Sequence, residues 1–209
     1  VDHAPELDAN SAGRINVVKG AEAVRYGAEA LGGVILLDGK ALPYTRSRPE
    51  GYLSTLYGSN GRRAALTGSV DAGLPLAGGR AAWRLQGTYL NGGDRSTAHY
   101  LLNNTGVREA NGSVAFGWKR NGFEADGYYS LFSTRIGVLF SAQMGDEQLL
   151  RERIRLGRPT EFYPWTRQID YPYQKVVHQV AKLHTRYTLS SGGHLEWQAA
   201  YQHDDRREF

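Results

Sequence analysis

Residues Arg14 to Asp38 read RINVVKGAEAVRYGAEALGGVILLD, and the rest of the chain is organised around them. Two strand-like runs flank a glycine-punctuated centre. Ile15 to Val18 is short and β-branched. Val34 to Leu37 is wholly apolar, which predicts a strand buried on both faces. Between them Gly20, Gly27, Gly32 and Gly33 permit positive φ or close backbone approach. Ala21 to Arg25 is rich in helix formers, enough for about one or two turns. No Gly-Lys-Ser/Thr follows the glycines, so a phosphate-binding loop is excluded. The stretch predicts strand, short helix, tight turn, strand.

Upstream, Val1 to Gly13 is polar and ends in turn chemistry at Asn10-Ser11-Ala12-Gly13. Downstream, Gly39 to Glu50 carries Pro43, Arg46, Arg48 and Pro49 and reads as a linker. From Gly51 the pattern changes to period two. Seven strands are expected: Gly51 to Gly58, Arg62 to Leu74, Arg80 to Leu90, Arg108 to Lys119, Phe123 to Phe132, Lys175 to Leu189 and His194 to Asp205. Each separates an apolar set from a polar one. In the third, Trp83, Leu85 and Tyr89 oppose Arg84, Gln86 and Thr88. In the sixth, Val177, Ala181, Leu183 and Tyr187 oppose His178, Lys182, His184 and Arg186. Connections near Pro75, Asn121 and Gly192 are tight, whereas Asn91 to Val107 and Ser133 to Tyr173 are long and alternate with them. Outer-membrane barrels join short turns at one end and longer loops at the other, and only the short turn at Asn60 breaks this rule. Tyr52, Tyr57, Trp83, Tyr89, Trp118 and Trp197 stand near strand ends, where interfacial aromatic girdles form.

Composition agrees with many short strands and turns: 26 Gly and 13 Tyr accompany a single Met. There is no Cys, which excludes disulfide frameworks and thiolate metal sites. No run reaches the roughly 18 apolar residues of a transmembrane helix, a test that barrel strands escape. The net charge of +4 is scattered rather than gathered on a basic helix or tail, so nucleic acid is a poor partner. The chain starts at Val1 without a signal peptide and stops at Phe209 inside a strand-like run, so it reads as a piece of a longer protein.

The opening stretch resembles the end of the plug domain in TonB-dependent outer-membrane receptors, whose pattern runs roughly R-I-E-V-x-x-G-P-x-S-x-x-Y-G-x-x-A-x-G-G-V-I-N-I. Arg14, Ile15, Val17, Gly20, Tyr26, Gly27, Ala30, Gly32, Gly33, Val34 and Ile35 fall on it in register. Asn16, Ala21 and Leu36 depart from it. The resemblance implies a mainly β protein. Residues 1–41 would be the C-terminal part of an α/β plug and 42–50 a linker. Residues 51–209 would be about seven strands of a transmembrane antiparallel β-barrel of roughly 22. It also implies a receptor in the outer membrane of a Gram-negative bacterium, importing a scarce ligand of the siderophore, haem or cobalamin class. Partners would be the lipid bilayer, a small metal chelate, and TonB with its inner-membrane complex, whose contact segment would precede Val1. Ala30-Leu31-Gly32-Gly33 favours this branch over the glycan or peptide importers of the same superfamily. A passive porin or adhesin barrel is the remaining membrane alternative. Ile136 to Pro159 looks like loops in family members from Bacteroidetes-type bacteria. In some members an arginine at the position of Arg25 locks the plug through glutamates on later strands.

No catalytic residue, metal site or cofactor emerges. There is no Gly-x-Ser-x-Gly or metalloprotease signature, and the chain reads as a non-enzyme. Of the histidines His3, His99, His178, His184, His194 and His203, only His178 and His184 share a strand face, about 20 Å apart. Glu124, Asp126, Glu196 and Asp204 would face a basic wall of Arg84, Lys182 and Arg186, suited to plug–barrel hydrogen bonding. The candidate ligand loop is Ser133 to Tyr173. In it Asp146 caps a short helix, and Arg151, Arg153 and Arg155 precede Phe162, Tyr163 and Trp165. Arginines beside aromatics suit an anionic, flat ligand. The competing reading is a structural lid whose arginines pair with Asp146, Glu147, Glu152 and Glu161.

Overall fold

The computed structural model describes residues 6–27, 30–142, 147–160 and 162–209. The opening stretch forms β1 (Ala12–Val18) and β2 (Val34–Gly39), an antiparallel pair that matches Ile15 with Leu37 and Val18 with Val34. Between them Gly20–Tyr26 and Ala30–Gly32 are 3-10 turns rather than α-helix. Gly20, Gly27 and Gly33 take φ of 72°, 135° and 128°, where a side chain would be strained. One expectation fails. β2 is not buried on both faces: Ile35 is 51% exposed, as are Ile15 and Val17 on β1 by similar amounts. A two-strand ribbon has no second layer of its own, so its apolar residues stay open unless another element covers them.

The remainder is one seven-stranded antiparallel sheet. Its strands are β3 (Glu50–Gly58), β4 (Arg63–Leu76), β5 (Gly79–Gly92), β8 (Val107–Arg120), β9 (Phe123–Gly137), β10 (Tyr173–Thr188) and β11 (His194–Glu208), adjacent in that order. The two-residue strands β6 (Arg95–Ser96) and β7 (Leu101–Leu102) pair within the connection from β5 to β8. That connection is therefore partly ordered rather than a plain polar loop. β9 runs five residues past the expected Phe132, which shortens the long loop; within it lies helix α1 (Glu147–Leu156). Asp146, the expected cap of α1, lies outside the described residues, as do His3 and Glu161. Two tight turns use glycine and asparagine at positive φ, with Ala77 the one residue there whose Cβ opposes that conformation. Ala77-Gly78 joins β4 to β5 and Asn121-Gly122 joins β8 to β9, with both central residues at positive φ.

The sheet is inverted in polarity. Its buried residues include Thr67, Asp71, Gln86, Thr88, Asn111, Ser130 and His178, all on one face. On the other, Leu66, Leu85, Tyr89, Phe116, Tyr129, Leu183 and Trp197 are exposed. Period-two alternation puts each set on its own face. What lies over the polar face is two pieces of the N-terminal segment, residues 6–11 and 40–46, while nothing among the described residues covers the apolar face. A contiguous apolar surface of this extent marks a partner or a membrane rather than water. No helix among the described residues is long and apolar enough to cross a membrane, a statement that does not bear on strands.

Candidate functional site

A polar seam joins the N-terminal segment to the sheet. Its centre is Asp71 on β4, which is 7% exposed. Arg84 on β5 donates from Nε and Nη2 to Asp71 Oδ2 at 2.9 and 2.6 Å. The same guanidinium reaches across to the segment, donating to the carbonyls of Lys40 at 2.5 Å and Ala41 at 2.8 Å. Arg46 donates to Asp71 Oδ1 from the segment side, and also pairs with Glu50 at 3.0 Å. One carboxylate thus holds two guanidiniums, and one of them spends its remaining donors on backbone. A buried charge is tolerable only when satisfied in this way.

Tyr44 extends the seam. Its hydroxyl donates to Asp126 on β9 at 2.6 Å, and Lys119 lies 4.7 Å over its ring. Burial, then the hydrogen bond to Asp126, pushes the Tyr44 phenol well above its ordinary range, so it remains a donor. Gly73 and Gly117 leave the room: a Cβ on Gly73 would strike the Pro43 and Tyr44 carbonyls, and one on Gly117 the Tyr44 hydroxyl. Further along, Gln86 donates to Asp8 at 2.7 Å and Tyr128 to Ser11 at 3.4 Å. A polar cleft of about 250 Å³ lies between residues 10–13 and Tyr52, Ser69, Arg84 and Gln86.

The seam ends at Glu6. Its carbonyl stands 2.6 Å from His178 Nδ1, and because a carbonyl only accepts, that ring nitrogen donates. Its carboxyl lies 3.4 Å from Arg206 and faces the Asp204 carboxyl, a pair that can bond only when one of the two is protonated. Burial, and next the bond to Asp204, raises the Glu6 carboxyl above the usual glutamate range against the opposing fields of Arg206 and His178.

The expected acidic and basic wall is rearranged. Arg84 serves Asp71. Glu124 pairs with Lys119 at 2.6 Å, Glu196 with Arg186 at 3.5 Å, and Asp126 with Tyr44 and, at 4.0 Å, His184. Lys182 is exposed and stands apart from these pairs. Among the described residues no three His, Asp or Glu side chains converge as metal ligands.

The long loops form a second cluster at the opposite end from the tight turns. Asp94, 1% exposed, accepts from the Thr105 amide at 3.1 Å and the Thr166 amide at 3.3 Å. Its carbonyl accepts from Trp165 Nε1 at 2.8 Å. Asn104 donates to the carbonyls of Val138, Asp170 and Pro172. Asn103 exchanges both its polar atoms with the Tyr163 backbone. Gly93 lets Trp165 approach, since a Cβ there would lie 2.7 Å from the indole.

The candidate ligand residues divide accordingly. Trp165 is held by Asp94 with Arg62 stacked 4.1 Å above it, and Tyr163 packs edge-on to Phe140 at 5.7 Å. Arg151 pairs with Glu147 at 2.6 Å and Arg153 donates to the Ser141 carbonyl at 3.1 Å. These four have structural occupations, and Arg151–Glu147 is the one pairing among them that the lid reading names. Arg155 and Phe162 are exposed, and Arg158 lies 5.8 Å over the Phe162 ring. The glycines Gly20, Gly27, Gly32 and Gly33 shape the turns of the opening stretch. Arg25 and Tyr26 project from it, exposed and away from the seam.

Sequence reading missed Tyr44, Arg46 and Asp94. A tyrosine and an arginine between two prolines, and the run Gly92-Gly93-Asp94, were the available signals. Comparison of the chain with family models, curated proteins and solved structures gives no match.

Proposed function

We propose that this chain is part of a TonB-dependent outer-membrane receptor: the end of the plug (1–41), its connection (42–50) and the first seven strands of the barrel (51–209). The supporting observation is the inverted sheet, with its apolar face bare and its polar face carrying the N-terminal segment through Asp71, Arg84, Tyr44 and Asp126. A soluble sandwich buries the apolar face instead. In the proposed barrel the polar face lines the lumen and the segment occludes it.

The activity is energised import, with no catalysis. A siderophore, haem or cobalamin-like ligand is captured on the loop side, and TonB pulls on the plug. The seam sets the work required, because its charge-assisted hydrogen bonds must be broken and rehydrated. A glycan or peptide cargo would use the same machinery. The test is the complete reading frame expressed in a Gram-negative host. Heat-modifiable migration in the outer-membrane fraction, with ligand uptake that stops when TonB is deleted, is expected. A folded protein recovered without detergent, or uptake indifferent to TonB, would overturn the proposal.

A further inference from the structure

Four cations stand side by side on the apolar face, near the ends of the strands that lead into the long loops. Cross-strand register sets Arg108 of β8 opposite Arg135 of β9, Arg135 opposite Lys175 of β10, and Lys175 opposite Arg207 of β11. Opposed residues share a face. Each of the four is in phase with its strand's exposed apolar residues: Phe116 for Arg108, Tyr129 for Arg135, Leu183 for Lys175, Trp197 for Arg207. Strands about 4.8 Å apart make this a row about 15 Å long.

Like charges placed opposite one another are destabilising, so an uncompensated row needs a counter-charge. Asp205 is the only carboxylate on this face within two residues of the row, and it is taken: Arg207 donates to both its oxygens at 3.0 and 2.9 Å. Arg135 gives one donor to the Ile169 carbonyl at 3.0 Å and lies 3.7 Å over the Tyr173 ring. The Arg108 guanidinium is exposed and makes no hydrogen bond or ion pair among the described residues; Lys175 is exposed and makes no hydrogen bond there. Four cations therefore face one committed carboxylate. Aromatic residues bound the row on the loop side; on the turn side Ala110, Ser133, Val177 and Asp205 come next on this face and the larger apolar side chains follow. Leu131, Tyr129 and Tyr201 lie further toward the turns, while Tyr173 and Phe209, stacked at 4.7 Å, lie next to the row toward the loops. A basic row continuous with an apolar surface matches a ligand that carries phosphates and acyl chains together. A free anion would leave the apolar part unexplained.

We propose that Arg108, Arg135, Lys175 and Arg207 dock the phosphates of an anionic lipid headgroup in the leaflet on the loop side, with the acyl chains lying along the apolar face. This rests on the membrane orientation proposed above. The test uses the full receptor containing this chain, in phosphatidylcholine nanodiscs, with bisphosphorylated lipid A as probe and native mass spectrometry of retained lipid as readout. Wild type should retain lipid A, with retention falling about tenfold in R108Q/R135Q/K175Q/R207Q and falling also with added salt. Lys175→Gln alone removes one charge and should show a smaller loss, which decides the matter if the quadruple variant does not assemble. Arg120→Gln, at the turn end of β8, should leave retention unchanged. Equal retention in wild type and in the charge-depleted variants would overturn the site, as would displacement by millimolar inorganic phosphate. Failure of wild type to enter the nanodisc, seen before any lipid A is added, would instead sink the membrane reading.

Discussion

The seam around Asp71 and the cap around Asp94 both bury a carboxylate where sheet pairing cannot reach, but they recruit different partners. Asp71 is met by two guanidiniums, and Arg84 relays the contact to the carbonyls of Lys40 and Ala41. Asp94 is met by backbone amides from two separate loops. A side-chain clamp can open when one arginine swings away and both surfaces rehydrate. Backbone capture has no such intermediate, because the amides move only if the loops themselves unfold. The seam is therefore built to hold yet part, and the cap to stay closed.

The largest expected effect is at the cap. Asp94→Ala strands the Thr105 and Thr166 amides, and should cost about 3–5 kcal/mol of local stability. Hydrogen exchange should accelerate over residues 94–105 and 163–170 while residues 40–46 are unaffected. Loosening of both regions together would mean that they form one cooperative unit and that the contrast is wrong.

The two faces of the sheet come next. Leu85→Arg places a charge on the bare apolar face, at about 2–4 kcal/mol if that face meets lipid mid-membrane. Lys182→Gln, on the polar face but exposed, should change stability by less than about 0.5 kcal/mol. Gln86 is the neighbour that sequence alone would choose for this control. It is unsuitable because it is buried and bonded to Asp8, Thr88 and Ser113. Equal yields of the folded full-length protein from L85R and K182Q would show that the apolar face is not solvated by lipid.

Arg84→Met should weaken the seam by about 2–3 kcal/mol, since Asp71 keeps only Arg46 and the carbonyls of Lys40 and Ala41 lose their donor. Faster exchange over residues 40–46, with the cap unchanged, is the expected outcome. In the receptor reading the same variant should need less force for segment release in single-molecule pulling. An unchanged unfolding force would leave Arg84 outside the seam's energetics.

The strands and their faces were legible in the sequence because period-two alternation is a local signal that long antiparallel strands repeat many times. The Gly-rich turns were legible for the same reason: Asn121-Gly122 states its own φ. Tertiary partners were not. Asp71 could be placed on the polar face, but its two arginines come from opposite directions, one local in the sheet and one 25 residues upstream in a segment that reads as a linker. Asp94 sits in a stretch whose composition is merely polar, and its amide partners leave no trace in the sequence. The apolar run Val34 to Leu37 misled, because a short hydrophobic strand reads the same whether or not a second layer covers it.

The smallest expected effect separates the two ends of the seam itself. Glu6 has its carboxyl raised from the ordinary 4.5 by burial and by the bond to Asp204, while Arg206 and His178 pull it down. A group raised in the folded state stabilises the contact fully below its unfolded value and loses that contribution as the pH climbs through the folded one. Residues 6–11 should therefore be better protected at mildly acidic pH than at pH 8, after correction for intrinsic exchange rates. Residues 40–46, at the Asp71 end of the seam, serve as the reference against which that protection is compared. Glu6→Gln keeps the bond to Asp204 without a titrating proton and should hold residues 6–11 protected across the range. Asp204→Asn should weaken the pH dependence by removing the acid that shares the proton. Protection of residues 6–11 that grows with pH would mean that the ion pair with Arg206, 3.4 Å away, governs the contact instead.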